Sequence, residues 1–339
     1  MKLKRYVFGI FVICILSGIQ DAVAGEKWRM ILDLEGRWLF SIGDNSKWAS
    51  PHYDDANWER IEVPSKWEDE GFYGYDGFAW YRKSFDGTLL KSKTDTYNLF
   101  LGYIDDVDEV YFNGHKIGSS GSFPPRYHTA FNALRNYYIP NVYINFGGKN
   151  VISVRVYDAE IEGGIVSGDV GIFVNDDDRG LAVNLRGSWD FSLSSKRYND
   201  YHQEKFSSRT NRRPPEEANW IKLSVPGVWE NQGYPNYDGS AWYRKQFTVP
   251  KELNGDDLIL VLGKIDDIDE VYLNGKYVGS STQHDKLRFY NISAGEIIPS
   301  AVNLLLVYVD DTGGLGGIYE GPLGLIKQSE FTRYVRWRD

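Results

Sequence analysis

One long string of residues occurs twice in this chain, in the same order, and that duplication limits the available folds more than any other feature. Leu34-Glu35-Gly36-Arg37-Trp38 recurs as Leu185-Arg186-Gly187-Ser188-Trp189, an offset of 151. Asp76-Gly77-Phe78-Ala79-Trp80-Tyr81-Arg82-Lys83 returns as Asp238-Gly239-Ser240-Ala241-Trp242-Tyr243-Arg244-Lys245, an offset of 162. The stretch from Ile104 to Gly114 returns from Ile265 to Gly275, and Asn150 to Asp158 returns from Asn303 to Asp311. Because the offsets drift only through loop changes, the pattern predicts two copies of a domain of roughly 150 residues, not a solenoid of short repeats. The expected parts are a signal peptide over 1–24, a first β-sandwich over 25–178, a second over 179–326 and a C-terminal tail over 327–339. A polar, turn-rich seam lies near Asn175 to Gly180.

Each copy reads as all-β. Tyr97 to Leu101, Val110 to Phe112 and Val151 to Tyr157 are short β-branched and aromatic runs between Gly, Pro, Asn and Asp. Asn113-Gly114 and Asn274-Gly275 each separate two such runs, the mark of a two-residue hairpin turn with positive φ at both central positions. No stretch keeps a 3.6-residue apolar period long enough for a substantial helix. Aromatic residues at 15% of the chain, with 35 glycines, agree with a sandwich whose core is aromatic and whose turns are tight.

The first 24 residues have another role. Lys2, Lys4 and Arg5 precede an apolar run from Val7 to Ile19 that is short for a membrane span, and Ala22-Val23-Ala24 supplies small residues for cleavage. Export to the periplasm or outside the cell is expected, with an uncleaved membrane anchor as the alternative. Cys14, the one cysteine, would leave with the signal, so two sandwich cores must stand without disulfides. A formal net charge of −9 argues against a nucleic-acid footprint, which needs clustered Lys and Arg.

Taken as an ordered set, Val63-Pro64, Trp67-Glu68, Asp76 to Lys83, Leu101 to Gly114 and Gly163-Gly164-Ile165 carry a family resemblance, as do their second copies. The set resembles the sugar-binding, galactose-binding-like jelly-roll domain of family 2 glycoside hydrolases. It is also similar to the accessory β-sandwich of sialate O-acetylesterases. The resemblance spans about residues 30–174 and 181–326. It implies two tandem jelly rolls and a carbohydrate context, since in those families the domain is an accessory whose loops border the substrate pocket. The catalytic partner is missing: two sandwiches leave no room for a (β/α)₈ barrel of about 250 residues. No Gly-x-Ser-x-Gly elbow occurs, and no Asp-x-x-His pair precedes any of the five histidines. His52, His115, His128, His202 and His284 also lack zinc-site spacing and read as surface or turn residues. No catalytic residue is assigned.

Two groups of residues are candidate sites. Trp67, Tyr73, Tyr75 and Asp76, with Trp229, Tyr234, Tyr237 and Asp238, fill glycine-rich loops. They could hold a sugar by stacking under its C–H face while carboxylates take the hydroxyls. Tryptophans at strand edges such as these are more often core plugs. Asp158 and Asp311 precede the Gly-Gly loops, which by resemblance approach the substrate. The densest carboxylate clusters are Asp105, Asp106, Asp108 and Glu109, with Asp266, Asp267, Asp269 and Glu270. On one strand face Asp106 and Asp108 would lie about 6.8 Å apart, a spacing that overlaps an inverting glycosidase pair. Capping of turns, or pairing with Arg82 and Arg244, is the plainer account, and calcium at Asp105, Asp106, Asp108, Asp266, Asp267 and Asp269 is the other alternative. The expected function is an exported, non-catalytic protein that binds a glycan or assists a partner glycoside hydrolase. A hydrolase or carbohydrate esterase with a site between the sandwiches, and a structural protein-interaction module, are the alternatives.

Overall fold

A computed structural model describes residues 27–93, 95–197 and 213–336, so the expected signal peptide and His202 lie outside the described residues. The first half forms ten strands: β1 (Trp28–Asp33), β2 (Gly36–Ile42), β3 (Glu59–Val63), β4 (Gly77–Asp86), β5 (Tyr97–Asp105), β6 (Val107–Phe112), β7 (His115–Ser120), β8 (Leu134–Ile139), β9 (Lys149–Asp158) and β10 (Gly164–Asn175). They pair antiparallel into a six-stranded sheet in the order β3-β2-β4-β9-β6-β7 and a four-stranded sheet in the order β1-β10-β5-β8. The second half runs β11 (Val183–Asn184), β12 (Gly187–Ser194), β13 (Ile221–Val225), β14 (Ser240–Thr248), β15 (Leu258–Asp266), β16 (Ile268–Leu273), β17 (Lys276–Ser281), β18 (Leu287–Ile292), β19 (Val302–Asp310) and β20 (Gly317–Lys327). Its sheets, β13-β12-β14-β19-β16-β17 and β11-β20-β15-β18, keep the strand order of the first half. The protein is therefore all-β, two jelly-roll sandwiches in tandem.

Alternation along the strands builds each core. In β6, Val107, Asp108, Val110 and Phe112 are buried while Glu109 and Tyr111 are half-exposed. Trp38, Phe40, Trp67, Tyr81 and Val154 meet between the two sheets of the first sandwich, and Trp189, Phe191, Trp229, Tyr243 and Val307 meet in the second. Asn113 and Gly114 take φ of 49° and 83°, and Asn274 and Gly275 take 51° and 81°, closing the expected hairpins.

The seam is packed rather than a solvated linker. Asn175 caps a single turn over Asp176–Asp178 in which Asp177 and Asp178 are buried, and Arg186 pairs with Asp178 at 2.9 Å. The tail forms a short helix, α1 (Phe331–Arg336), against the second sandwich: Phe331 meets Phe289 edge-on, and buried Tyr334 donates to the Asp177 carbonyl. Between the sandwiches lies a cavity of 130 Å³ lined by Ser119, Asn136, Ser224, Gln232 and Tyr319, and among the described residues no carboxylate or histidine lines it. Among the described residues no helix is long and apolar enough to cross a membrane.

Candidate functional site

The aromatic loops divide sharply by burial. Trp67 and Trp229 are fully buried, and each indole N–H donates to a loop carbonyl, that of Tyr75 or Tyr237, at 3.1 Å. They plug the cores and cannot stack under a sugar, which corrects their place among the binding candidates. Tyr75 and Tyr237 are half-buried, and their hydroxyls donate to the carbonyls of Phe78 and Ser240. Tyr234 packs on Phe191 as Phe72 packs on Phe40, with ring centroids 5.1 and 4.7 Å apart. Tyr73 alone among these aromatics faces solvent, 83% exposed, and its equivalent in the second copy is Pro235. Asp76 and Asp238 are exposed.

A second aromatic group was not read from the sequence. Between β7 and Leu134 the offset between copies narrows from 161 to 153, so the first sandwich carries eight extra residues there. That longer loop brings Phe123 parallel to Phe78, with centroids 5.9 Å apart, and Arg155 lies 4.3 Å from the Phe123 ring and 4.7 Å from Phe78. It also presents Tyr127 against Tyr157 and leaves Phe131 56% exposed. The change in offset is the signal that would have pointed to this loop.

The acidic clusters rearrange more than the aromatics. Asp108 and Asp269 are buried with both oxygens already taken, by Arg135 and the Tyr137 hydroxyl and by Arg288 and the Tyr290 hydroxyl, which removes them from the expected calcium set and dissolves the Asp106–Asp108 pair. Arg82 and Arg244 are not the partners either; they pair with Asp55 and Asp190. Instead Arg135 reaches Asp108 at 2.8 Å, and Arg288 reaches Asp269 at 2.8 Å. The Arg135 guanidinium spends its four other N–H groups on the carbonyls of Ala130, Ala133, Ile104 and Asp106, at 2.5 to 2.9 Å. Arg288 repeats this with the carbonyls of Gln283, Lys286, Ile265 and Asp267. Each arginine thus braces the backbone on either side of Asp105 or Asp266. Leu134-Arg135-Asn136-Tyr137 and Leu287-Arg288-Phe289-Tyr290 recur at an offset of 153, a repeated string from which the two arginines were legible.

With Asp108 and Asp269 withdrawn, Asp158 and Asp311 take their places. One carboxylate oxygen from each of Asp105, Asp106 and Asp158 lies within 4.8 Å of the others, and Asp266, Asp267 and Asp311 make the same group in the second sandwich. Asp158 ends β9 opposite Gly77, so the Asp76 loop borders the first cluster. Burial, then the nearby carboxylates, push Asp158 up to about 8; burial and the Asp106 carboxylate push Asp105 up to about 7. Burial also bears on Asp106, but hydrogen bonds from Thr129, Tyr127 and the Ala159 N–H outweigh it and hold that carboxyl below its usual range. Asp267, held by Thr312, is lowered in the same way, while Asp266 rises to about 7. These are hard oxygen sets of the kind that hold a cation.

Comparison with known proteins places the fold in a family context. No family model matches the chain. A protein named as a β-glucuronidase from Formosa agariphila is 29% identical over 144 residues, which cover 39% of this chain and 13% of that protein. The β-galactosidase BoGH2A of Bacteroides ovatus is 28% identical over 143 residues, covering 38% of this chain and 15% of the enzyme. The chain therefore matches about a seventh of the length of these curated relatives. Among solved structures, Ruminococcus gnavus β-glucuronidase is 21% identical over 38% of this chain and 20% of its own, with a TM-score of 0.30. A calcium-binding mutant of Bacteroides uniformis β-glucuronidase 2 is 14% identical over 84% of this chain and 28% of its own, with a TM-score of 0.36. The chain is similar to part of the family 2 glycoside hydrolases, over one domain's length, and its sandwiches are consistent with galactose-binding-like domains.

Proposed function

We propose that this chain is an exported, non-catalytic carbohydrate-binding protein, built by tandem duplication, whose glycan surface lies at the loop end of the first sandwich and which serves alongside a glycoside hydrolase. The carrying observation is that Tyr73, Tyr127 and Phe131, on loops of the first sandwich, face solvent, as does the Asp76 carboxylate. Flat rings take the C–H face of a sugar, and carboxylates accept its hydroxyls. The similarity of a domain's length to part of a β-glucuronidase and a β-galactosidase supports a carbohydrate context.

An inverting mechanism at the acidic clusters is disfavoured by their spacing. Oxygens within 4.8 Å of one another are well short of the roughly 6.5–9.5 Å of an inverting pair. The cavity between the sandwiches offers serines but, among the described residues, no base beside them. The test is glycan-array screening and calorimetry on the mature protein. Binding to a polysaccharide is expected, weakened about fivefold by Tyr73→Ala or Phe131→Ala, in line with about 1 kcal/mol per stacked ring. Absence of binding to plant, host and bacterial glycans would overturn the reading, and so would turnover of nitrophenyl or acetylated sugars.

A further inference from the structure

The two carboxylate triads share a feature that a surface cluster of acids lacks. Asp158 and Asp311 are both 0% exposed, and in each the Oδ2 atom accepts no hydrogen bond from the described residues. The other oxygen, Oδ1, takes the N–H of Glu160 or of Gly313, two residues further on, which fixes the carboxylate at the head of its loop. A buried acceptor with no donor is an uncommon arrangement in folded proteins and calls for a partner. Here it occurs twice, at equivalent positions of two sequences that have diverged around it.

We propose that each sandwich binds one calcium ion, the first through Asp105, Asp106 and Asp158 and the second through Asp266, Asp267 and Asp311. Calcium takes six to eight oxygen ligands at about 2.3–2.6 Å, so ligand oxygens on opposite sides of the ion are separated by up to about 5 Å. The spacing within 4.8 Å in each triad lies inside that limit. The triads contain no sulfur or nitrogen ligand, which sets them apart from zinc sites. Magnesium demands a tighter octahedron and keeps most of its water, so two carboxylates from one turn and a third from another strand suit the larger ion better.

The local scaffold holds these ligands in place. Arg135 grips the carbonyls of Ile104 and Asp106, and Arg288 grips those of Ile265 and Asp267, so the paired carboxylates are carried on a braced turn. Asp106 also receives the Ala159 N–H at 3.0 Å, and Asp267 receives the Thr312 N–H at 3.0 Å. These bonds draw the loops that follow β9 and β19 onto the turns. An ion at each triad would close the same connection, joining the β5–β6 turn to the loop after β9 and the β15–β16 turn to the loop after β19.

The experiment uses the full mature chain, stripped with a chelator and titrated with calcium chloride in a calorimeter, with magnesium chloride as a parallel titrant. Two calcium ions per chain are expected, with a melting temperature raised by several degrees and restored to its starting value by chelator. Asp158→Asn and Asp311→Asn are near-isosteric; each should reduce the count from two to one, and the double variant to none. Far-UV circular dichroism on the same samples establishes that the variants are folded. No calcium binding by the wild-type chain at millimolar concentration overturns the proposal. Undiminished binding by the folded double variant overturns it equally.

Discussion

Replacing Arg135 should separate its two roles, ion pairing and backbone bracing. Its guanidinium is 0% exposed and all five N–H donors are used, one on Asp108 and four on main-chain carbonyls. Arg135→Met strands the buried Asp108 carboxylate, at about 4 kcal/mol for a broken buried pair. It also leaves two carbonyls, those of Ile104 and Ala133, without the arginine at about 1 kcal/mol each, while those of Ala130 and Asp106 keep the N–H groups of Ala133 and Ala130, giving about 6 kcal/mol in all. That is comparable with the stability of an ordinary domain, so the first sandwich should unfold or nearly so. The double variant Asp108→Leu/Arg135→Met removes the stranded charge but not the two carbonyls left without the arginine, so about 2 kcal/mol of loss should remain. Urea denaturation followed by tryptophan fluorescence measures both, with Arg288→Met as the parallel case in the second sandwich. If the double variant matches the wild type, the arginine is only a counter-ion and the bracing role is wrong.

Two further outcomes follow from close packing and from burial. A Cβ at Gly163 would lie 2.1 Å from the Trp67 ring, which is fully buried and cannot retreat, so Gly163→Ala should cost about 1–3 kcal/mol. At Gly147 a Cβ meets nothing within 4 Å, and Gly147→Ala should stay within about 0.5 kcal/mol by the same denaturation assay. Burial pushes the Lys245 ammonium down to about 8, while its Nζ donates to the Ser188 carbonyl. Above that pH the native chain has released a proton that the unfolded chain keeps until about 10.4, so stability should rise between pH 8 and 10.4 and lose that increment on return to lower pH. The gain should reach at most about 3 kcal/mol relative to Lys245→Met. Equal pH dependence of wild type and variant in urea unfolding would refute it.

What could be read from the sequence was local or repeated. Asn113-Gly114 and Asn274-Gly275 specify their hairpins by themselves, and the alternation in Val110 to Phe112 assigns a buried face. The exchange of Asp108 for Asp158 was not legible, because it depends on a strand neighbour about fifty residues away. Asp106 and Asp108 sit two apart and look like a pair, yet the sheet turns Asp108 inward to Arg135 and brings the end of β9 up to Asp106. Tryptophan burial was equally undecided: Trp67 follows a turn and precedes a glycine-rich loop, a context that fits a plug or a platform. Gly163, pressed on the indole, resolves it as a plug. The repeated Leu-Arg-x-Tyr string and the narrowing offset carried more information than the composition of either segment.

The eight-residue difference between the loops after β7 and β17 bears on how the protein would behave on a repeating polymer. A chain with two matching platforms would hold a polysaccharide bivalently, and its second contact would be intramolecular, with a large gain in avidity. Here Pro235 stands where Tyr73 is, and the second sandwich lacks the added loop, so among the described residues the aromatic surface proposed for binding is present once. On that proposal, affinity would come from one set of contacts, and avidity from a partner that carries a second.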